Sequence, residues 1–335
     1  MTSETEQPHE LLRPVLDTYL NSPLGITGCR SYGYQRPSCE YDVVVVSEDS
    51  RSPFSLKNGT SFIDVYFMSE KELLLPSDPE VAVALSWLHQ VRDSSLTISA
   101  SASANRALLH ENANKAASNR LAAAVKALAR ADDSLAKGLV QDGDMWLLSS
   151  GYEFAQAWIL STETAPSPSH ILDQTKGISK GKSKTFEAFS KAVGLERASR
   201  SECKMRLDAL SILYDVMTAS RTAGPDDAKA SSSVVEFEIV KAKTEYMTEA
   251  MMHVDCYAYL GFQVYAVLPS VSRLQASSQS AEVNQSELIE TLSRGDRKMI
   301  GEQVIRGLGL GRTEGAVKRG AAALQSEISL FAKSL

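Results

Sequence analysis

Apolar residues along the chain fall into two regimes. Up to about residue 75 the apolar runs are short and rich in Val, Ile, Phe and Tyr. Beyond that point Ala, Leu, Ser, Lys and Glu dominate, a helix-forming composition. In the first regime "LLRPVLDTYL" (11–20) carries apolar residues at helical spacing, with Pro14 tolerable in a first turn. "LGITG" (24–28) reads as a short strand that ends in glycine. "YDVVVV" (41–46) has continuous rather than alternating apolar residues, which predicts a strand buried on both faces. Asn58-Gly59 is a tight-turn dipeptide and joins "SPFSLK" to "TSFIDVYFM" as an antiparallel hairpin. "NGT" also matches the glycosylation acceptor pattern, but without a secretion signal the turn reading prevails. In the second regime the spacing predicts helices over 79–93, 103–137 with a break, 144–160, 183–194, 197–221, 232–268, 285–306 and 314–333. Linkers rich in Gly, Pro, Ser or charge are expected at 164–170, 177–184 and 222–233. The chain shows no internal repeat and no sustained heptad.

These patterns predict an α+β protein. A small mixed β-sheet domain spans 1–75 and an all-helical domain spans 76–335, with a subdivision near 165–185. The length of 335 residues supports more than one domain, since single cores rarely grow past roughly 250 residues. A hydrophobic fraction of 43% and a charged fraction of 23% are ordinary for a globular chain. The net charge of −6 argues against wholesale coating of a nucleic-acid backbone, leaving room only for a local basic groove. Cys29, Cys39, Cys203 and Cys256 have no CxxC spacing and no zinc-like histidine pattern, so they read as reduced thiols. "MTSETEQPHE" is polar and acidic, without an apolar signal core. The longest apolar stretch, "AYLGFQVYAVL" (258–268), falls short of the roughly 18 residues a membrane span needs. The expectation is a soluble, cytoplasmic protein that does not enter the membrane.

Chemistry concentrates in "GCRSYGYQRPSCEYDVVVV" (28–46). If 41–46 is a strand, Glu40 and Asp42 point the same way, with Tyr41 on the opposite face. Carboxylates that close repel one another unless a cation compensates. A pair at a rigid strand end is therefore suited to Mg²⁺, which prefers hard oxygen ligands and commonly takes one or two carboxylates plus substrate phosphates. Asp64, flanked by apolar residues in "FIDVYF", is a costly residue to leave uncompensated in a strand. If that strand lies beside 41–46, three carboxylates converge, as two-metal phosphoryl chemistry requires. The bland alternatives are a solvated strand end for Glu40 and Asp42 and an edge-strand charge for Asp64.

Residues 26–46 resemble the nucleotidyltransferase superfamily related to DNA polymerase beta, particularly its minimal and kanamycin-type members. That pattern is a Gly-Ser pair, commonly followed by Arg and a further Gly, then an Asp-x-Asp strand. Here Gly28-Cys29 occupies the Gly-Ser position, Arg30 and Gly33 follow, and Arg36-Pro37 precede the acidic pair. Glu40 and Asp42 fall on the Asp-x-Asp positions, and Asp64 looks like the third carboxylate on a neighbouring strand. The resemblance implies a nucleotidyltransferase-like domain followed by helices. It implies transfer of a nucleoside monophosphate from ATP or another nucleoside triphosphate to an acceptor hydroxyl, with release of pyrophosphate. Gly28, Cys29, Arg30 and Gly33 would bind the nucleotide, and Glu40, Asp42 and Asp64 would hold two Mg²⁺ ions. Asp64 would help deprotonate the acceptor, which is a small molecule, a protein hydroxyl or an RNA end. The sequence departs from the pattern twice. Glu40 stands for the first aspartate, a change that related cyclic dinucleotide synthases share. Cys29 stands for the serine, and a thiol is a weaker hydrogen-bonding group. The rival reading is a non-catalytic nucleotide-sensing or partner-binding protein on the same fold.

Other signals carry less. Arg106 and His110 stand four apart on one helix face, and a surface or core-edge pair is the favoured reading. His170 in "SPSH" is explained by capping and packing. His253 lies in a methionine- and aromatic-rich helix, a core or interface position through which copies of the chain could associate. "RGLGLGRTEG" (306–315) lacks the Lys-Ser/Thr of a P-loop and a preceding strand, so it reads as a helix–helix connection with a basic rim.

Overall fold

Four consecutive valines need a core on each side, and the computed structural model of the protein supplies two. It describes residues 8–49, 51–180, 183–222, 227–275 and 304–335. The valines lie in β2 (Tyr41–Val46), the middle strand of a five-stranded sheet. The others are β1 (Leu24–Thr27), β3 (Phe54–Asn58), β4 (Ser61–Met68) and β5 (His89–Arg92), in the order β3-β4-β2-β1-β5. β2 and β4 run parallel, and the remaining pairs are antiparallel. Side chains alternate along β2. Tyr41, Val43 and Val45 therefore join Leu24, Ile63 and Val65 in a core closed by Leu12 and Val15, at and after the start of the helical segments α1 (Pro8–Leu11) and α2 (Arg13–Thr18). Val44 and Val46 enter the opposite core with Leu73, Leu85, Ile98 and Ala102. Those four come from α3 (Glu70–Leu74), α4 (Pro79–Leu85) and α5 (Thr97–Ala107). Ser69 and Glu72 close a capping box on α3, and Asp78 caps α4 ahead of Pro79.

The chain divides into two compact units, Met1–Ala113 with Glu163–Ala165, and Asn114–Thr162 with Pro166–Leu335. The second is helical. Its long elements are α6 (Leu109–Ala136, begun in the first unit), α7 (Val140–Leu160), α8 (Ile171–Ser179), α9 (Lys184–Val193), α10 (Arg200–Thr222), α11 (Asp227–Glu249), α12 (His253–Gln275) and α13 (Glu314–Phe331). α7 is its spine. Met145, Leu148, Tyr152 and Ile159 pack into one core with α10 and α12, while Leu147, Phe154 and Ala157 pack into another with α13. Among the described residues no helix is long and apolar enough to cross a membrane.

The α+β architecture matches the expectation, with several local differences. The helix expected over 79–93 stops at Leu85, and His89–Arg92 pairs with β1 as an edge strand. Arg92 fixes that strand by donating to the carbonyls of Leu16, Tyr19 and Ser22. The helix expected over 232–268 breaks at Met251, which adopts φ +55° and is 82% exposed. No Gly or Pro marks that break, so periodicity ran through it. Two expected linkers are partly helical: α8 runs into 177–184 as far as Ser179, and α11 begins at Asp227 within 222–233. At the hairpin, Asn58 pairs with Ser61, so the turn residues are Gly59-Thr60 and Asn58 donates its side-chain amide to Leu11 O at 2.8 Å. The helix expected over 285–306 lies largely outside the described residues.

The basic rim expected in 306–315 is only part of that segment's role. Arg312 turns inward and meets Asp144 through Nη2 at 2.6 Å and Nε at 2.7 Å, with both side chains at least 95% buried. It also donates to Lys191 O and Ala192 O, tying the start of α13 to α7 and α9. Removing one partner strands the other's charge in the interior. Asp144→Ala should lower the unfolding free energy by about 3–5 kcal/mol, measured by urea titration, with Asp144→Asn between it and the wild type.

Candidate functional site

The parallel register of β2 on β4 decides what the acidic residues do. Asp42 is the direct partner of Asp64, so both carboxylates leave the sheet on the same face. Glu40, two residues earlier, joins them. Ligand oxygens of Glu40, Asp42 and Asp64 all lie within 4.8 Å of one another. The three residues are half-buried, and Glu40 Oε2 and Asp64 Oδ1 are closed off from solvent. They occupy the face that Val44 and Val46 continue into core, which makes the cluster the polar rim of a packed layer.

Gly28 determines how closely the chain approaches this cluster. It follows β1, adopts φ +75° and opens the short 3-10 turn Gly28–Arg30. A Cβ there would overlap the Asp42 carboxylate. Glycine is required twice over, for the backbone angle and for the space. Gly33 also has a positive φ, +79°, but faces open space.

Arg30 is directed along the backbone. Its Nη2 donates to Cys39 O at 2.6 Å and its Nε to Glu40 O at 3.0 Å, and the guanidinium lies 3.8 Å from the Tyr41 ring centroid. Held this way, Arg30 fixes residues 39–41 and so the strand entry that aims Glu40. Cys29 is buried, 4% exposed, with its Sγ within 4.8 Å of that of the equally buried Cys39. The amide of Arg36 donates to Cys39 Sγ at 3.2 Å.

Two residues that sequence reasoning passed over complete the wall. Thr27 Oγ1 and Tyr32 Oη both donate to Ala84 O, at 3.1 and 3.3 Å, fastening the Gly28 turn to the end of α4. Burial pushes the Tyr32 phenol well above its ordinary range. The nearby Asp42 carboxylate pushes the same way, against a hydrogen bond with Thr27. The aromatic residues of "GCRSYGY" were visible, but nothing in their spacing told which would face an acid.

The sequence-predicted residues thus separate by position. Glu40, Asp42 and Asp64 converge, and Gly28 touches their cluster. Cys29 and Arg30 belong to the same turn but meet Cys39 and the strand entry, and Gly33 lies exposed beyond it. Carboxylates this close repel one another when charged, and a cation between them offsets that repulsion. Clustered hard oxygens on a rigid sheet fit a divalent ion such as Mg²⁺.

No known family model matches the chain, and no curated protein does. Among solved structures, a nucleotidyltransferase-like protein from Exiguobacterium sibiricum 255-15 aligns over 90% of this chain and 89% of its own, at 10% identity and a TM-score of 0.36.

Gly28→Ala should cost about 1–3 kcal/mol of stability from backbone strain, and more from displacing Asp42. Gly33→Ala carries only the backbone part. Thermal unfolding of the two variants should therefore rank Gly28→Ala as the more destabilised.

Proposed function

We propose that the chain is a Mg²⁺-dependent nucleotidyltransferase, moving a nucleoside monophosphate from ATP or another nucleoside triphosphate to an acceptor hydroxyl. One observation carries this reading: Glu40, Asp42 and Asp64 gather their oxygens within 4.8 Å on one face of the sheet, beside a glycine turn with no side chain in the way. The sequence resemblance of residues 26–46, which includes Glu40 and Asp42, supports it.

Glu40, Asp42 and Asp64 would hold two Mg²⁺ ions, which when bound supply positive charge to the attacking and leaving oxygens of an in-line displacement. Asp64 takes the proton of the acceptor hydroxyl as its oxygen bonds to the α-phosphorus and the bond to pyrophosphate breaks. Gly28 keeps the approach to Asp42 free of a Cβ, and the turn through Gly33 receives the triphosphate. Arg30 acts indirectly, keeping Glu40 aimed by gripping the carbonyls of Cys39 and Glu40 on either side of the Glu40 Cα. The acceptor is a small molecule, a protein hydroxyl or an RNA end. The net charge of −6 weighs against a long nucleic acid.

A second reading, nucleotide binding without turnover, draws on Cys29. At the family's serine position it places a thiol that is 4% exposed and packed near Cys39, where a hydroxyl would serve a phosphate oxygen.

Titration calorimetry with ATP and Mg²⁺, followed by labelled-nucleotide transfer in cell extract, separates the readings. Transferase function predicts Mg²⁺-dependent label transfer that Asp42→Asn and Asp64→Asn each lower by about a hundredfold or more. Mg²⁺-dependent binding with no transfer selects the second reading. Absence of nucleotide binding removes both.

A further inference from the structure

A cavity of about 740 Å³ lies in the helical unit, between the start of α10 and the end of α11. That volume falls within the roughly 300–1,000 Å³ of small-molecule sites. The helical period arranges its charges. Arg200 and Lys204, four apart, stand together on the α10 wall, and Glu245 and Glu249, also four apart, stand together on the α11 wall. All four are exposed, and half-buried Leu207 adds an apolar spot on the α10 side.

Each wall keeps its charge. Lys204 pairs with Asp208 on its own helix at 2.8 Å, and among the described residues Arg200, Glu245 and Glu249 form no ion pair. No ion pair therefore joins the two walls. Like charges four apart on a helix repel one another. The helix ends add to that repulsion. Arg200 opens α10, where the macrodipole is positive, and Glu249 closes α11, where it is negative and no basic residue stands in the last turn. Both walls therefore gain from a counter-charge inside the cavity, an anion on the α10 side and a cation on the α11 side.

A ligand of one sign satisfies only one wall. A polyanion such as a nucleoside triphosphate would meet Glu245 and Glu249, and a polyamine would meet Arg200 and Lys204. A molecule that carries both signs at opposite ends suits both.

We propose that the cavity binds a small zwitterion, a free amino acid or a short peptide, with its carboxylate on Arg200 and its ammonium on Glu245 and Glu249. A guanidinium takes a carboxylate through two parallel N–H donors. Leu207 receives a small apolar side chain. The site does not depend on nucleotide transfer by the carboxylate cluster.

Titration calorimetry of the full chain with L-alanine and with trialanine tests this. At least one should bind with a Kd near or below about 1 mM. Acetylating the amino end of that ligand, or amidating its carboxylate, should each weaken binding by about tenfold or more. Variants then assign the ends. In Arg200→Gln amidation should no longer weaken binding, and in the Glu245→Gln/Glu249→Gln double variant acetylation should no longer do so. These side chains are exposed, so thermal unfolding of the variants should match that of the wild type. Tighter binding of trialanine marks a peptide site, and alanine binding at least as tightly marks an amino-acid site. Binding of neither probe, blocked forms that bind as tightly as free ones, or variants that weaken free and blocked forms alike would each overturn the proposal.

Discussion

The register of β2 against β4 is the constraint on which the sheet unit and its candidate site both depend. A parallel pair places Asp42 opposite Asp64, and a slip of one residue would send Asp64 to the far face. The same slip would bring Ile63 and Val65 out of the core they share with Val43 and Val45. Burial of those side chains, each contributing roughly 1.5–3 kcal/mol, fixes the register. Hydrophobic packing thus brings the three carboxylates together.

The elements around the cluster reinforce that hold from the backbone side. Arg30 clamps the strand entry through carbonyls, and Thr27 and Tyr32 fasten the Gly28 turn to α4 through the carbonyl of Ala84. None of these contacts uses a carboxylate oxygen. These contacts hold the shape of the strand entry and the glycine turn around the three carboxylates.

The helical unit is organised by a different kind of device. Two buried arginines serve different ends there. Arg312 is matched by Asp144 and joins three helices, which makes it structural. Arg206 is met by the ring and the carbonyl of Tyr257, which ties α10 to α12. The sequence shows an arginine at both positions and nothing that tells them apart. Only the packing of α10 on α12 makes the difference visible.

What the residues determined by themselves was whatever depends on local chemistry. Four successive valines require two cores, an Asn-Gly step requires a turn nearby, and Glu40 and Asp42 must share a face. Those features are short-range and periodic, so the α+β class and the shared face of Glu40 and Asp42 could be read directly, whereas the approach of Asp64 depended on the pairing of β2 with β4. What the tertiary structure decided was whatever depends on distant partners. β5 exists because β1 offers it an open edge and Arg92 finds three carbonyls. The helix over 232–268 breaks at Met251 without any breaking residue. Arg30 grips the carbonyls of Cys39 and Glu40, contacts that its place in the motif does not announce. In each case the local preference is weak, worth a few tenths to about 1 kcal/mol, and a long-range contact outweighs it.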